Sequence, residues 1–242
     1  MRLFRVVLAW LLGGYAIAPA YGQAPRPRPL DYSLAVDYDT DFGVTPTLAV
    51  SLPLDSVRQL TAYATYYTQA PAGSLETGLS LSLPLFKGKA TVSPAIGLIS
   101  GRFFVAQTPW KVSEGFVGSV TAEKAGRRWA LKGFMAYYGA LRLLGPTTYD
   151  FAFYQVAGGW KVTKGLTLGA LHEQVRMLHL PRNQPDAQHY QLVRVGLFVQ
   201  LPLPGKWQLQ ATGGWLADAF VRFSLNRSLT LGRKGGPVLM PK

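Results

Sequence analysis

The sequence predicts an all-β fold: an up-and-down antiparallel transmembrane β-barrel of about twelve strands, with ten to fourteen allowed by its weaker segments. Three observations lead there. Strand-length runs with a period of two follow one another from residue 30 onwards. After residue 22 no segment sustains a helical period or reaches the length of a membrane-spanning helix. Tight, basic connections alternate with mostly longer ones, which puts all the tight turns at one end of a barrel.

The chain divides into a signal peptide (1–22), a proline-rich leader (23–29), the barrel (30–226) and a C-terminal tail (227–242). Arg2 and Arg5 precede the apolar run VVLAWLLGGYAIA, and Ala18, Ala20 and Gly22 stand at spacings suited to signal peptidase. A retained anchor is disfavoured because the run falls short of the ~20 residues that a spanning helix needs. Removing this segment lowers the formal net charge from +13 to +11. The stretch QAPRPRP then leads, extended, into the first strand.

The strands follow in order. LDYSLAVDYD sets Leu30, Tyr32, Leu34, Val36 and Tyr38 against Asp31, Ser33, Ala35, Asp37 and Asp39, two faces of opposite character. In the second, Pro46, Leu48, Val50, Leu52 and Leu54 alternate with Thr45, Thr47, Ala49, Ser51 and Pro53. The third, near residue 64, is weakly patterned. The fourth sets Leu75, Leu79, Leu81, Leu83 and Leu85 against Ser74, Glu76, Gly78, Ser80, Ser82 and Pro84. A weak fifth lies near 95, and the sixth and seventh lie near 120 and 134. In the eighth, Tyr149, Phe151 and Phe153 alternate with Asp150, Ala152 and Tyr154. A weak ninth lies near 170. The tenth sets Val193, Val195, Leu197, Val199 and Leu201 against Leu192, Arg194, Gly196, Phe198 and Gln200. The last two lie near 210 and 221.

The tight connections are DSVRQ, FKGK, KAGRR, KVTKG and PLPGK; the long ones include residues 100 to 115 and 176 to 188. This spacing matches a bacterial outer-membrane barrel, with turns and both termini in the periplasm and long loops outside. The apolar faces then meet lipid, and Tyr32, Tyr38, Trp129, Tyr137, Tyr149, Trp207 and Trp215 fall at strand ends, where an interfacial girdle belongs. A water-soluble sandwich or lipocalin-like barrel would turn the polar faces to water. Those faces here are Ser, Thr, Gly and Ala with few charges, unlike a soluble exterior.

The segments YATYYT, SPAIGLISGRFF, SEGFVGSV, MAYYGALR, YDFAFYQVAGGW and LTLGALHEQV resemble those of an uncharacterised family of small bacterial outer-membrane β-barrel proteins. The resemblance implies a fold and a location, the bacterial outer membrane, with membrane lipids and the outer-membrane assembly machinery as partners. It implies no activity. Such barrels commonly end on a strand with a terminal aromatic residue, whereas here Phe220, Val221 and Phe223 are followed by RSLTLGRKGGPVLMPK.

Chemistry is sparse. With no cysteine, disulfides, thiolate metal sites and a lipid-bearing cysteine are excluded. His172, His179 and His189 lie on or beside one long loop without ligand spacing. No serine stands in a G-x-S-x-G motif, so a lipid hydrolase ranks below the other readings, and the expectation is no enzyme and no cofactor. Nucleic acid is not an expected partner, because the basic residues are not interleaved with stacking aromatics. Lys87, Lys89, Lys124, Arg127, Arg128, Lys161, Lys164, Lys206, Arg233 and Lys234 would gather at the periplasmic end, within reach of acidic lipid headgroups.

Two readings remain. The first is a narrow channel for small solutes, with Asp37, Glu76, Ser80, Ser82, Glu123, Lys132, Asp150, Arg194, Gln208, Gln210 and Arg222 as candidate lumen-lining residues; Ser33, Thr121, Gly158, Gly196 and Thr212 belong to the same expected lining. The second is a structural or surface-interaction barrel, its lumen closed by ion pairs among Asp37, Glu76, Glu123, Lys132, Asp150, Glu173, Arg194, Asp218 and Arg222. Solute and oligomeric state have no signature in the sequence.

Overall fold

The computed structural model describes residues 30–40, 43–68, 73–102, 111–141, 150–179, 191–216 and 219–231. The expected signal peptide and leader, Tyr149, His189, Asp218, the middles of the long connections and the tail beyond 231 lie outside the described residues.

Twelve antiparallel strands form one closed ring: β1 (Leu30–Asp39), β2 (Gly43–Pro53), β3 (Gln59–Tyr67), β4 (Ser74–Leu85), β5 (Ala90–Gly101), β6 (Lys111–Ala125), β7 (Trp129–Ala140), β8 (Asp150–Thr163), β9 (Leu166–His179), β10 (Gln191–Leu203), β11 (Trp207–Leu216) and β12 (Phe220–Leu231). Each strand pairs with its sequence neighbours, and β1 pairs with β12 to close the ring. Closure removes every free sheet edge, the condition for a sheet to sit in hydrocarbon. Strand lengths run from 9 to 15 residues, enough for a tilted crossing.

The connections 54–58, 86–89, 126–128, 164–165 and 204–206 lie together at one end, with Leu30 and Leu231 paired beside them. This is the turn end. The opposite, loop end is less regular than a strict short–long alternation, because residues 40–42 suffice to join β1 to β2.

The outside is apolar and the inside carries the charge. Ile96 and Leu197 are 68% and 71% exposed, whereas Glu173 and Arg194 are each 1% exposed. That inversion of a water-soluble protein rules out the lipocalin-like arrangement, since outward Leu48, Met135, Val195 and Phe223 would otherwise face water. Aromatics mark the rims. Trp129 and Trp160 stand opposite one another at the turn end, with the Lys124 ammonium 5.8 Å from the Trp129 ring. The Arg227 guanidinium lies 5.1 Å from the Trp207 ring nearby.

Two apolar clusters pack inside the ring: Ile99, Val117, Ala136 and Tyr138 on β5 to β7, and Leu171, Phe198 and Phe220 on β9, β10 and β12. Glycines make room for the inner rings. A Cβ on Gly78 would stand 2.6 Å from both Cζ and Oη of Tyr63, so Tyr63 lies flat against β4 only because that position has no side chain. Phe198 is seated against Gly169 in the same way.

Two expectations need correction. The β8 faces are exchanged: Phe151, Phe153, Gln155 and Ala157 point inward, so Asp150 and Gly158 leave the expected lining. The lumen face of β8 carries its own phenylalanines, so apolar character does not mark the lipid face of this strand. In addition, β12 runs to Leu231, past the expected barrel limit at 226. Arg227 interrupts the apolar alternation there, but its aliphatic stem and guanidinium lie along Trp207 at the rim, so the strand continues.

Candidate functional site

The lumen holds a cavity of about 930 Å³. Its walls differ in character around the ring. On β1 to β6 many inner positions are Ser or Thr, among them Thr45, Thr47, Thr65, Ser80, Ser93, Ser119 and Thr121, and several of these hydroxyls satisfy one another across strands. Thr47 and Thr65 oxygens are 2.9 Å apart, Ser51 and Thr61 2.8 Å, and Ser82 and Ser93 3.0 Å. On β7 to β10 the cavity meets Phe134, Tyr138, Phe151, Phe153, Leu171 and Met177. A second cavity of about 380 Å³, lined by Asp31, Ser33, Ser51, Gln59 and Ser228 among others, opens at the turn end.

Among the described residues, four charged side chains form a quartet in the loop-end half. Arg194 on β10 reaches Asp39 on β1 at 3.1 Å and Glu173 on β9 at 3.0 Å. Arg222 on β12 reaches the same two carboxylates at 2.8 and 2.9 Å. Gln155 donates a further bond to Glu173 at 3.0 Å, and the Arg194 guanidinium lies 4.7 Å from the Phe220 ring. Among the described residues, two guanidiniums thus meet two carboxylates. Burying such a cluster is costly unless every member is matched, and here both cations contact both anions.

Around the ring, Tyr63 and Tyr67 on β3 donate to the two oxygens of Glu76 on β4 at 2.8 and 2.7 Å. Toward the turn end, Lys132 and Glu123, directly paired on β7 and β6, form an ion pair at 3.1 Å, with both side chains more than half exposed. A pair so open contributes little stability.

Of the candidate residues, Asp37, Glu76, Ser80, Lys132, Gln210 and Arg222 border the larger cavity. Ser82 is bonded to the lining Ser93, Glu123 to the lining Lys132, and Gln208 stands opposite the lining Asn226. Arg194 is buried in the quartet. Asp150 is elsewhere: it accepts bonds from the Tyr137 hydroxyl and the Ala140 amide, both at 2.9 Å, beside the outer face of β7. His172 stands opposite the exposed Val156 and Val195 on the outer face, its ring 5.4 Å from Tyr154. The sequence reading missed the inward aromatics Tyr63, Tyr67, Tyr138, Phe151 and Phe153. It also left Asp39 out of the expected ion pairs, although the residue shares a face with Asp37.

The profile of one protein family matches residues 3–225. The chain belongs to DUF6733, a family of unknown function. No curated protein matches it significantly. Among solved structures, the fold of this DUF6733 barrel is similar to that of the NanC porin, with a TM-score of 0.53 at 7% identity over 81% of this chain and 97% of that one. The KdgM porin aligns with a TM-score of 0.52 at 10% identity, over 81% and 99% of the two chains. The COG4313 outer membrane channel from Pseudomonas putida F1 gives 0.52 at 12% identity, over 88% and 100%. At such identities the likeness is one of fold: this is the architecture of a small outer-membrane β-barrel, and its neighbours are porins and channels.

Proposed function

We propose that this DUF6733 barrel is a narrow passive channel for small solutes across the bacterial outer membrane. The observation that carries the reading is the cavity of about 930 Å³ inside the closed ring, bordered by hydroxyl pairs and followed by a second cavity toward the turn end. A hydroxylic wall offers passing solutes exchangeable hydrogen bonds. The quartet favours the other reading, a barrel closed by ion pairs. Against closure, Asp39 and Arg222 border the cavity instead of filling it.

One solved relative is the KdgM porin in complex with disordered oligogalacturonate, an acidic oligosaccharide. That chemistry transfers poorly. The cations bordering this lumen are already matched by Asp39, Glu173 and Glu123, so a polyanion would find little unneutralised positive charge.

The test is isosmotic swelling of vesicles containing the refolded, heat-modifiable barrel. Swelling in small neutral solutes that declines with solute size supports the channel. No swelling from a correctly folded barrel supports the closed alternative.

A further inference from the structure

We infer that the lumen is a binding site for a flat amphipathic solute: an aromatic ring bearing a hydroxyl or amino group, neutral or positively charged. The inference deepens the channel reading and rests on it only for access to the cavity.

The first observation is the aromatic wall. Tyr138 and Phe151 stand opposite one another on β7 and β8, rings stacked at 4.5 Å and 11°. Phe134 and Phe153 extend that wall toward the turn end, with ring centroids 5.7 Å apart and tilted by 54°. All four border the cavity, and a ring entering it meets aromatic faces and edges at stacking distances. The cavity volume lies within the usual range for small-molecule sites.

The second observation is what faces that wall. In a ring of twelve, β1 and β2 lie six places from β7 and β8, hence diametrically opposite. Their inner residues in the same loop-end half that border this cavity are Asp37, Asp39, Thr45 and Thr47, of which Asp39 is held by Arg194 and Arg222. A solute resting its apolar face on the Phe wall therefore turns its other edge toward a carboxylate and two hydroxyls.

Charge sets the sign. Counting the cavity lining and the groups ion-paired to it, five carboxylates (Asp37, Asp39, Glu76, Glu123 and Glu173) meet three cations (Lys132, Arg194 and Arg222). Every one of those cations is ion-paired, so among the described residues the surplus is acidic. An aromatic carboxylate is disfavoured, and an aromatic amine or alcohol is accepted.

The experiment is saturation-transfer NMR on the full mature barrel in nanodiscs, with empty nanodiscs subtracted. Its probes are tyramine, 4-hydroxybenzyl alcohol, 4-hydroxybenzoate and glucose. Tyramine and the alcohol should receive saturation, and 4-hydroxybenzoate and glucose much less. Phe153→Leu keeps bulk but removes one ring and should weaken both binders about two- to tenfold. Asp37→Asn should weaken tyramine and leave the alcohol unchanged. If Phe153→Leu does not fold, Phe134→Leu takes its place, and the charge series on the parent barrel decides independently. Equal binding of the benzoate, stronger binding of glucose, or indifference to the lost ring overturns the inference. No current is measured, so a barrel that binds but does not conduct sinks only the channel, and one that conducts without binding sinks only this site.

Discussion

Asp39 on β1 and Arg222 on β12 face each other directly across the seam that closes the barrel, joined at 2.8 Å. The same carboxylate binds Arg194 on β10, so one residue ties the seam to the wall beyond β11. Because both arginines touch both carboxylates, removing one member leaves buried charge unmatched.

Arg222→Met should therefore cost about 3–5 kcal/mol of stability, the usual penalty for breaking a buried ion pair from one side. Urea unfolding of the refolded barrel, followed by tryptophan fluorescence, measures it. Adding Asp39→Asn should recover part of the loss. Additive losses would mean that the two residues act independently.

Leu81→Arg should prevent or greatly slow insertion into lipid vesicles, while Ser80→Arg inserts. Leu81 alternates with Ser80, which borders the cavity, and an arginine turned to mid-bilayer costs about 2–4 kcal/mol. At Ser80 the arginine meets the polar lumen, where it should reduce conductance. Normal insertion of Leu81→Arg would contradict the face assignment.

Gly78→Ala should destabilise the barrel by about 1–3 kcal/mol through overpacking. The new methyl group meets the Tyr63 ring and the Ile96 carbonyl, each at 2.6 Å. Tyr63→Phe, which loses only the bond to Glu76, should cost less. If the hydroxyl loss costs as much as the added methyl group, the seat beneath the ring is not tight.

The 54–58 turn should titrate late. The Val57 amide, and after it the Arg58 side chain and amide, hold the Asp55 carboxyl down to about 2 from its ordinary 3.8. A depressed acid stabilises the folded turn above its unfolded value and loses that contribution as pH falls through the folded one. NMR shifts of the Val57 and Arg58 amides should inflect near 2. Inflection at 3.8 would show that the turn bonds do not form.

How far the sequence was legible depended on contrast between faces. In β1, β2 and β4 the lipid face is Leu, Val and Tyr and the lumen face Ser, Thr and Asp, so the period of two reads directly. In β3 and β8 the lumen carries its own Tyr and Phe, and both faces are largely apolar, so the alternation does not tell them apart. Three members of the quartet were legible: Glu173, Arg194 and Arg222 stood among the expected lumen ion pairs. The arginines' partner Asp39 lies 155 and 183 residues away from them and is identified only by ring closure.

The channel itself is tested most directly by single-channel recording of the refolded, heat-modifiable barrel in a planar bilayer. The account predicts discrete conductance steps that Ser80→Arg reduces. Persistent silence of a folded, inserted barrel would contradict it.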